Sequence, residues 1–170
     1  MVEKFDWAET KIVVTKITDK NLLDKACSFT VDKEVNVKNM VKMYKSEHSP
    51  IRTQMFCVEL YNIPSFVSTH FVRHKIGVEH YVKSLREDRC GNGTENRWSP
   101  VNHMMILNAQ TLINMARKRL CGQASHETMK VMSGIREGVQ SVDDALAQCM
   151  LPDCQYRGGC YEFKTCGRWN

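Results

Sequence analysis

The stretch Asn108-Ala-Gln-Thr-Leu-Ile-Asn114-Met-Ala-Arg-Lys-Arg119, followed by Leu-Cys-Gly-Gln-Ala-Ser-His-Glu127, decides how this chain is read. Val101, Met105, Asn108, Leu112, Met115 and Arg119 recur at alternating intervals of four and three residues. That spacing sets them on one face of a helix. Ser99-Pro100 suits an N-cap and first helical position, and Gly122 suits a stop. The pattern therefore predicts one long central helix. Asn108 and Arg119, about three turns apart, then share a stripe with Val, Met and Leu. A buried amide or guanidinium without a partner is costly, so each needs one, from the protein or from a ligand. An Asn bonded to backbone and an Arg snorkelling from a helix end would satisfy the stripe without any ligand.

A second segment weighs on that choice. It is Phe71-Val-Arg73-His74-Lys75-Ile-Gly-Val-Glu-His-Tyr-Val-Lys-Ser84-Leu-Arg86-Glu-Asp. Two cations flank a titratable imidazole after an apolar run. Residues around Tyr81 to Glu87 read as a strand, which would point Ser84 and Arg86 to one side. A hydroxyl beside an Arg fork is a cradle for phosphate or carboxylate. Alone, such a cluster equally describes a solvated face or an ion-pair network.

Working outward, Lys11 to Thr18 and Gln54 to Asn62 read as strands rich in branched and aromatic residues. Asp19 or Asn21 is placed to cap a helix carrying Leu22, Leu23 and Ala26. Further helices are expected from about Asn36 to Tyr44, from Pro64 to Arg73, and from after Gly122 to about Val139. Ser141-Val-Asp-Asp144 resembles a capping box for a short last helix ending before Pro152. Cys90 to Asn96 is a loop. Strands and helices mix without strict alternation, which indicates an α+β fold.

The 170 residues suffice for one domain with a core. Apolar content of 42% and charged content of 25% are those of ordinary globular material. The N-terminal residues carry no apolar signal core, and no apolar run is long enough for a membrane span, so a cytoplasmic protein is expected. The net charge of +5 suits an anionic partner. The lack of interleaved basic and aromatic residues argues against nucleic acid.

Eight cysteines without a secretory signal speak against a disulfide framework. Cys27, Cys57, Cys90 and Cys121 are scattered. Cys149, Cys154, Cys160 and Cys166 crowd the end of the chain. Cys154, Cys160 and Cys166, evenly spaced in a turn-rich tail, are a candidate set for Zn²⁺. Free thiols are the alternative.

In order and separation, three blocks resemble the flavin-dependent thymidylate synthases, also called thymidylate synthase complementing proteins. The family's Arg-His-Arg, seven or eight residues, then Ser and Arg, is matched by Arg73-His74-Lys75, eight residues, and Ser84-Leu85-Arg86. Its helix with Asn, Asn six residues on and Arg five further, leading into Ala-Gln-Trp-Glu, is matched by Asn108, Asn114, Arg119 and Ala124-Ser125-His126-Glu127. His48-Ser49-Pro50 is similar to the family's His-x-Ser-Pro-Phe-Glu-His block. The resemblance covers roughly residues 10–140. Lys75 replaces an Arg, His70 stands where the family usually has Gln, and Arg52 lies near a family Glu.

The resemblance implies a mixed sheet with a long central helix. The family-like domain would span 1–148, with a Cys-rich tail over 149–170. It implies methylation of dUMP to dTMP, the methylene group coming from methylenetetrahydrofolate and the reducing equivalents from NADPH through FAD, with no cysteine nucleophile. Arg119 would polarise the uracil ring as the catalytic residue. Ser84 and Arg86 would hold the nucleotide phosphate, with His70 also on the substrate side. Arg73, His74, Lys75, Asn108 and Asn114 would surround the flavin. A homotetramer with ligands at subunit interfaces is implied, and Arg89 or Arg97 would add a phosphate contact across one. Two alternatives stay open. One is a relative acting on another pyrimidine nucleotide, with His70 as the altered pocket residue. The other is a non-catalytic relative that binds nucleotide or nucleic acid and holds metal in its tail.

Overall fold

A computed structural model describes residues 5–168. Residues 1–4 and 169–170, the outer ends of the two segments assigned from sequence, lie outside the described residues. Four strands form one antiparallel sheet in the order β1-β2-β4-β3. They are β1 (Lys11–Lys16), β2 (Met55–Pro64), β3 (Val78–Val82) and β4 (Pro100–Asn108). The helices are α1 (Lys20–Val31), α2 (Met40–Lys45), α3 (Ser65–Val72), α4 (Ala109–Arg119), α5 (His126–Val142), α6 (Asp144–Ala147) and α7 (Asp153–Arg157). A 3-10 turn, Ser49–Thr53, precedes β2. No helix among the described residues is long and apolar enough to cross a membrane.

The sheet follows from alternation. Phe56, Val58 and Leu60 of β2 and Val101, His103, Met105 and Leu107 of β4 are buried, while the residues between them are not. Period two puts each set on one face. Tyr44 and Phe71 join that face in the core, and α5 adds Val131, Met132, Ile135 and Val139 at helical spacing. The opposite face leaves Cys57, Glu59, Met104 and Ile106 only half-buried.

The long central helix is corrected. Residues 100–108 are strand β4, paired with β2 on one side and β3 on the other. Positions 101 and 105 satisfy a helical stripe and a two-residue alternation equally well, and pairing on both edges decides between them. Asn108 ends the strand and caps α4, its Oδ1 accepting from Thr111 N at 3.0 Å. Asn competes poorly inside helices and well at their N-termini. Leu112, Met115 and Arg119 do share a face of α4, as the spacing indicates.

Strand β3 is also shifted. It ends at Val82 rather than running to Glu87, and Ser84 and Arg86 fall in the following loop. Asn102 O takes the last bond, from Lys83 N at 2.9 Å, and the chain then turns so that Arg89, Cys90 and Gly91 all donate to Arg86 O. At the other end of the molecule α5 runs through Ser141, so Asp143 rather than Ser141 caps α6. Helix α7 lies within a tail expected to be only turns, and it packs on α4 through Tyr156, which stacks on Arg117 with the guanidinium carbon 3.6 Å from the ring centre.

Asp143 ties three elements. Its Oδ2 accepts from Lys16 Nζ and Tyr44 Oη, both at 2.7 Å, and its Oδ1 accepts from Leu146 N at 3.0 Å. The side chain is 7% exposed, so removing it strands the buried Tyr44 Oη and the half-buried Lys16 Nζ. Asp143→Ala is expected to lower unfolding free energy by about 3 kcal/mol in urea melts. Asp143→Asn, which keeps an oxygen acceptor, should lose less. Equal midpoints for wild type and Asp143→Ala would show that the contact is not needed for stability.

Candidate functional site

The Arg-His-Lys and Asn/Asn/Arg blocks meet in space although they are far apart in sequence. Helix α3 begins after Pro64, whose ring suits the entrance to a helix, and ends at Arg73. The chain then crosses in front of α4 through Gly77, at φ +71. A Cβ there would sit 2.4 Å from Asn108 Nδ2 and 2.6 Å from Thr111 Oγ1, so only glycine fits both the backbone and the space. Asn108 N donates to Gly77 O at 3.1 Å, and Thr111 Oγ1 donates to Ile76 O at 2.8 Å. The N-terminus of α4 therefore fixes the loop that follows His74.

At the other end of α4, Arg119 closes the arrangement. Its Nε donates to His74 Nε2 at 3.0 Å and its Nη2 to the carbonyl of His70 at 2.6 Å. A cation at a helix C-terminus is favoured by the helix dipole. His74 must accept at Nε2, so its neutral ring carries the proton at Nδ1. Burial, then the charge of Arg119 and the neighbouring His80, push its pKa down to about 4. Burial also lowers the pKa of Arg119, with Arg73 adding to the effect.

Behind this pair runs a chain of imidazoles. His80 Nε2 lies 2.8 Å from the carbonyl of His74, and His80 Nδ1 lies 3.0 Å from His103 Nε2. Ser68 Oγ lies 3.0 Å from His103 Nδ1. With the rings neutral, one ordering satisfies every atom. Ser68 donates to His103, His103 to His80, and His80 to the His74 carbonyl. Burial, then His80, push the His103 pKa down to about 4. Its position at 1% exposure among apolar side chains explains why a neutral form is required. His80 and His103 went unnoticed in the sequence; the signal was their place on adjacent strands, which only the register supplies.

His70 is half-buried, with Nδ1 2.7 Å from Thr128 Oγ1 of α5. Burial, then Arg119, Arg73 and Arg97, lower its pKa, against a smaller rise from Glu127. Arg73 and Lys75 are exposed and make no side-chain hydrogen bond or ion pair to the described residues. Asn114 is exposed on α4, and its Oδ1 accepts from Gln110 and Arg117 at 3.3 and 3.2 Å.

His74 and Asn114 line one open cleft of about 450 Å³ together with Arg117, Lys118, Asp153, Tyr156 and Arg157. Each of its three cations is paired with a carboxylate, Arg117 with Glu47, Lys118 with Glu162 and Arg157 with Asp153, so an anionic ligand would bind by exchanging with those partners. Arg117 is held by Glu47, which also accepts from Gln110 Nε2 at 2.6 Å. Burial alone would raise the Glu47 carboxyl, but bonds from Arg117, Tyr156 and Gln110 bring it below its usual range. Arg117 Nε is buried with no acceptor among the described residues.

Ser84 and Arg86 are not brought to this cleft. Ser84 Oγ accepts from Arg86 N at 3.2 Å, and Arg86 pairs bidentately with Asp88 at 2.9 and 2.6 Å in an exposed loop. Cys154, Cys160 and Cys166 lie in the tail beyond α4. As placed, no three His, Cys, Asp or Glu side chains among the described residues form a metal-holding group.

The acid behaviour of the site follows from these shifts. Between about pH 6.5 and 4 the unfolded chain takes up protons that folded His74 and His103 refuse. Stability therefore declines as pH falls through that window and is retained above it. Histidine NMR titration is expected to show His74 and His103 with midpoints near 4. Midpoints near the ordinary value of about 6.5 for both would contradict the arrangement.

No protein-family model matches the chain, and no curated protein matches it in sequence. Solved structures do match its fold. One is thymidylate synthase X from Helicobacter pylori with FAD and dUMP, at a TM-score of 0.64 and 12% identity over 81% of this chain and 99% of that chain. Another is the flavin dependent thymidylate synthase ThyX from Helicobacter pylori complexed with FAD and dUMP, at a TM-score of 0.67 and 12% identity over 83% of this chain and 99% of that chain. At this identity the likeness is one of fold, and the α+β architecture of this chain is like that of those enzymes.

Proposed function

We propose that the protein is a flavin-dependent thymidylate synthase, which methylates dUMP to dTMP with methylenetetrahydrofolate and NADPH as co-substrates and FAD as cofactor. The observation that carries this reading is the contact between Arg119 and His74. It joins the two motif blocks that resemble the family, within a fold that is like the family's.

Cleft chemistry fits FAD. The cations of the wall, on exchanging their carboxylate partners, and the amide of Asn114 offer charge and donors for a phosphate-bearing, hydrogen-bonding ligand. Arg73, His74, Lys75 and Asn114 are the residues that would hold it. Asn108 caps α4 through Oδ1 and positions the loop after His74, in addition to the flavin contact expected of it. FAD, once bound and reduced by NADPH, would supply the hydride that completes the new methyl group.

The chain's own part is electrostatic. C5 of uracil attacks an electrophilic carbon only from an electron-rich ring, in which negative charge is held on a ring carbonyl. A guanidinium fixed beforehand stabilises that charge without reorganising. Arg119 is such a group, fixed by His74 and by the His70 carbonyl. His74 keeps its proton at Nδ1 and adds no second positive charge. Ser84 and Arg86 would hold the nucleotide phosphate, once Arg86 exchanges Asp88 for it. Their distance from the cleft of the same chain is consistent with a site shared between subunits of a homotetramer.

The test is formation of dTMP, followed by mass spectrometry, from dUMP, methylenetetrahydrofolate and NADPH with FAD-loaded protein. Arg119→Ala is expected to reduce the rate by about a hundredfold or more. Arg119→Lys, which keeps charge but loses the fork, should recover part of it. Product from dCMP and none from dUMP would replace this reading with that of a synthase for another pyrimidine nucleotide. Full activity in Arg119→Ala would remove the role given to Arg119.

A further inference from the structure

Four of the eight cysteines converge. Cys121, Cys154, Cys160 and Cys166 line one small, largely enclosed cavity of about 10 Å³. Of the others, Cys27 is in the core, Cys57 lies on β2 and Cys90 in an exposed loop, while Cys149 bonds the Ala145 carbonyl. The four come from different places. Cys121 follows α4, and Cys154 sits in α7. Gly158, at φ +70, caps α7 and turns the chain back so that Cys160 returns to the cavity. Cys166 arrives from the irregular end of the tail.

Two further observations mark this as a built contact. A Cβ on Gly122 would lie 2.8 Å from Cys166 Sγ and 3.0 Å from Cys166 Cβ, so the last thiol rests against the backbone next to Cys121. Arg168 lines the same cavity and donates from Nη1 to Leu120 O at 2.9 Å, holding the tail to the end of α4. Besides this the tail is held to α4 by the stacking of Tyr156 on Arg117 and the exposed Lys118–Glu162 ion pair at 3.0 Å. Tyr161 is 69% exposed and Phe163 fully exposed, so its large apolar side chains add no core, while Cys154 and Cys160 are half-buried and Cys166 is exposed at the cavity rim. A short segment without a core of its own needs a staple.

We propose that Cys121, Cys154, Cys160 and Cys166 form a tetrathiolate site for a single zinc ion that clips the C-terminal segment to the end of α4. The cavity has room for about one water-sized sphere, which suits one ion. Four sulfurs and tetrahedral closure are what structural zinc prefers. Binding is not a redox step. Each thiol releases its proton to solvent, and four Zn–S bonds form. The resulting complex carries two net negative charges, and the Arg168 guanidinium beside it offsets one of them. Because the thiols are not yet gathered around a common point, loading draws the tail inward. This fixes Cys121, two residues after Arg119, and α7, whose Tyr156 and Arg157 line the cleft.

The site is independent of the reaction proposed above, and its test reads metal rather than turnover. The full chain, purified under reducing conditions without chelator, is expected to hold one zinc per chain by mass spectrometry of the elements. Thiol modification should release it. Cobalt substitution of the unmutated chain should give the intense visible absorption of tetrahedral thiolate ligation, a readout that needs no variant to fold. Cys121→Ser and Cys166→Ser should each lose most of the zinc, and Cys90→Ser should retain it. A chain that takes up no zinc on reconstitution would overturn the proposal. So would iron with sulfide in place of zinc, a disulfide between any two of the four cysteines in the freshly reduced protein, or full zinc in both Cys121→Ser and Cys166→Ser.

Discussion

Everything around the site depends on placing one guanidinium where water cannot fully solvate it. Arg119 ends α4 with its charge at the favourable pole of the helix, and it uses two donors on two parts of one segment, the His74 ring and the His70 carbonyl. That choice has consequences inward. A ring accepting from Arg119 stays neutral, and the carbonyl of the same residue receives His80, which leads through His103 to Ser68. One ion at a helix end thus fixes α3, β3 and β4 relative to α4 through hydrogen bonds that each have a defined donor. Half-satisfied polar chains in a core are costly, and this one is complete.

The fold was largely legible because most elements carry a single period. The alternation in β1 and β2 and the stripe of α5 each allow one reading, and Asp19, Asn39 and Ser125 cap helices through their side chains. The stretch that decides the fold was also the one that misled. Val101, Met105 and Leu112 satisfy a helical stripe, yet the strand to position 108 is set by partners on both edges, and those partners are remote in sequence. Asn108-Ala-Gln-Thr111 held the correct signal, an N-cap followed three residues later by a donor, and hydrophobic spacing outvoted it.

The site was legible in part for the same reason. The two motifs read as one site meet where Arg119 bonds His74, a contact their spacing does not specify, and Asn114 and His74 share a cleft. Ser84 and Arg86 read as part of a strand that instead ends at Val82, so their side chains serve an exposed turn in this chain. Asn108 caps α4 through Oδ1 in addition to the flavin contact expected of it. The histidine chain could not be seen, because it is made by register. The tail was seen as a run of thiols, but the fourth member, Cys121, is more than thirty residues away in sequence and becomes visible only when α7 folds back over the end of α4.

The proposed flavin and nucleotide sites would meet at Arg119. The most direct measurement is the visible absorption of the purified protein with added FAD, followed by titration with dUMP. Bound-flavin bands that shift again when dUMP is added are predicted, because both ligands would lie against the segment that Arg119 and His74 fix. A protein that binds no FAD, or whose flavin spectrum ignores dUMP at saturating concentration, would contradict it.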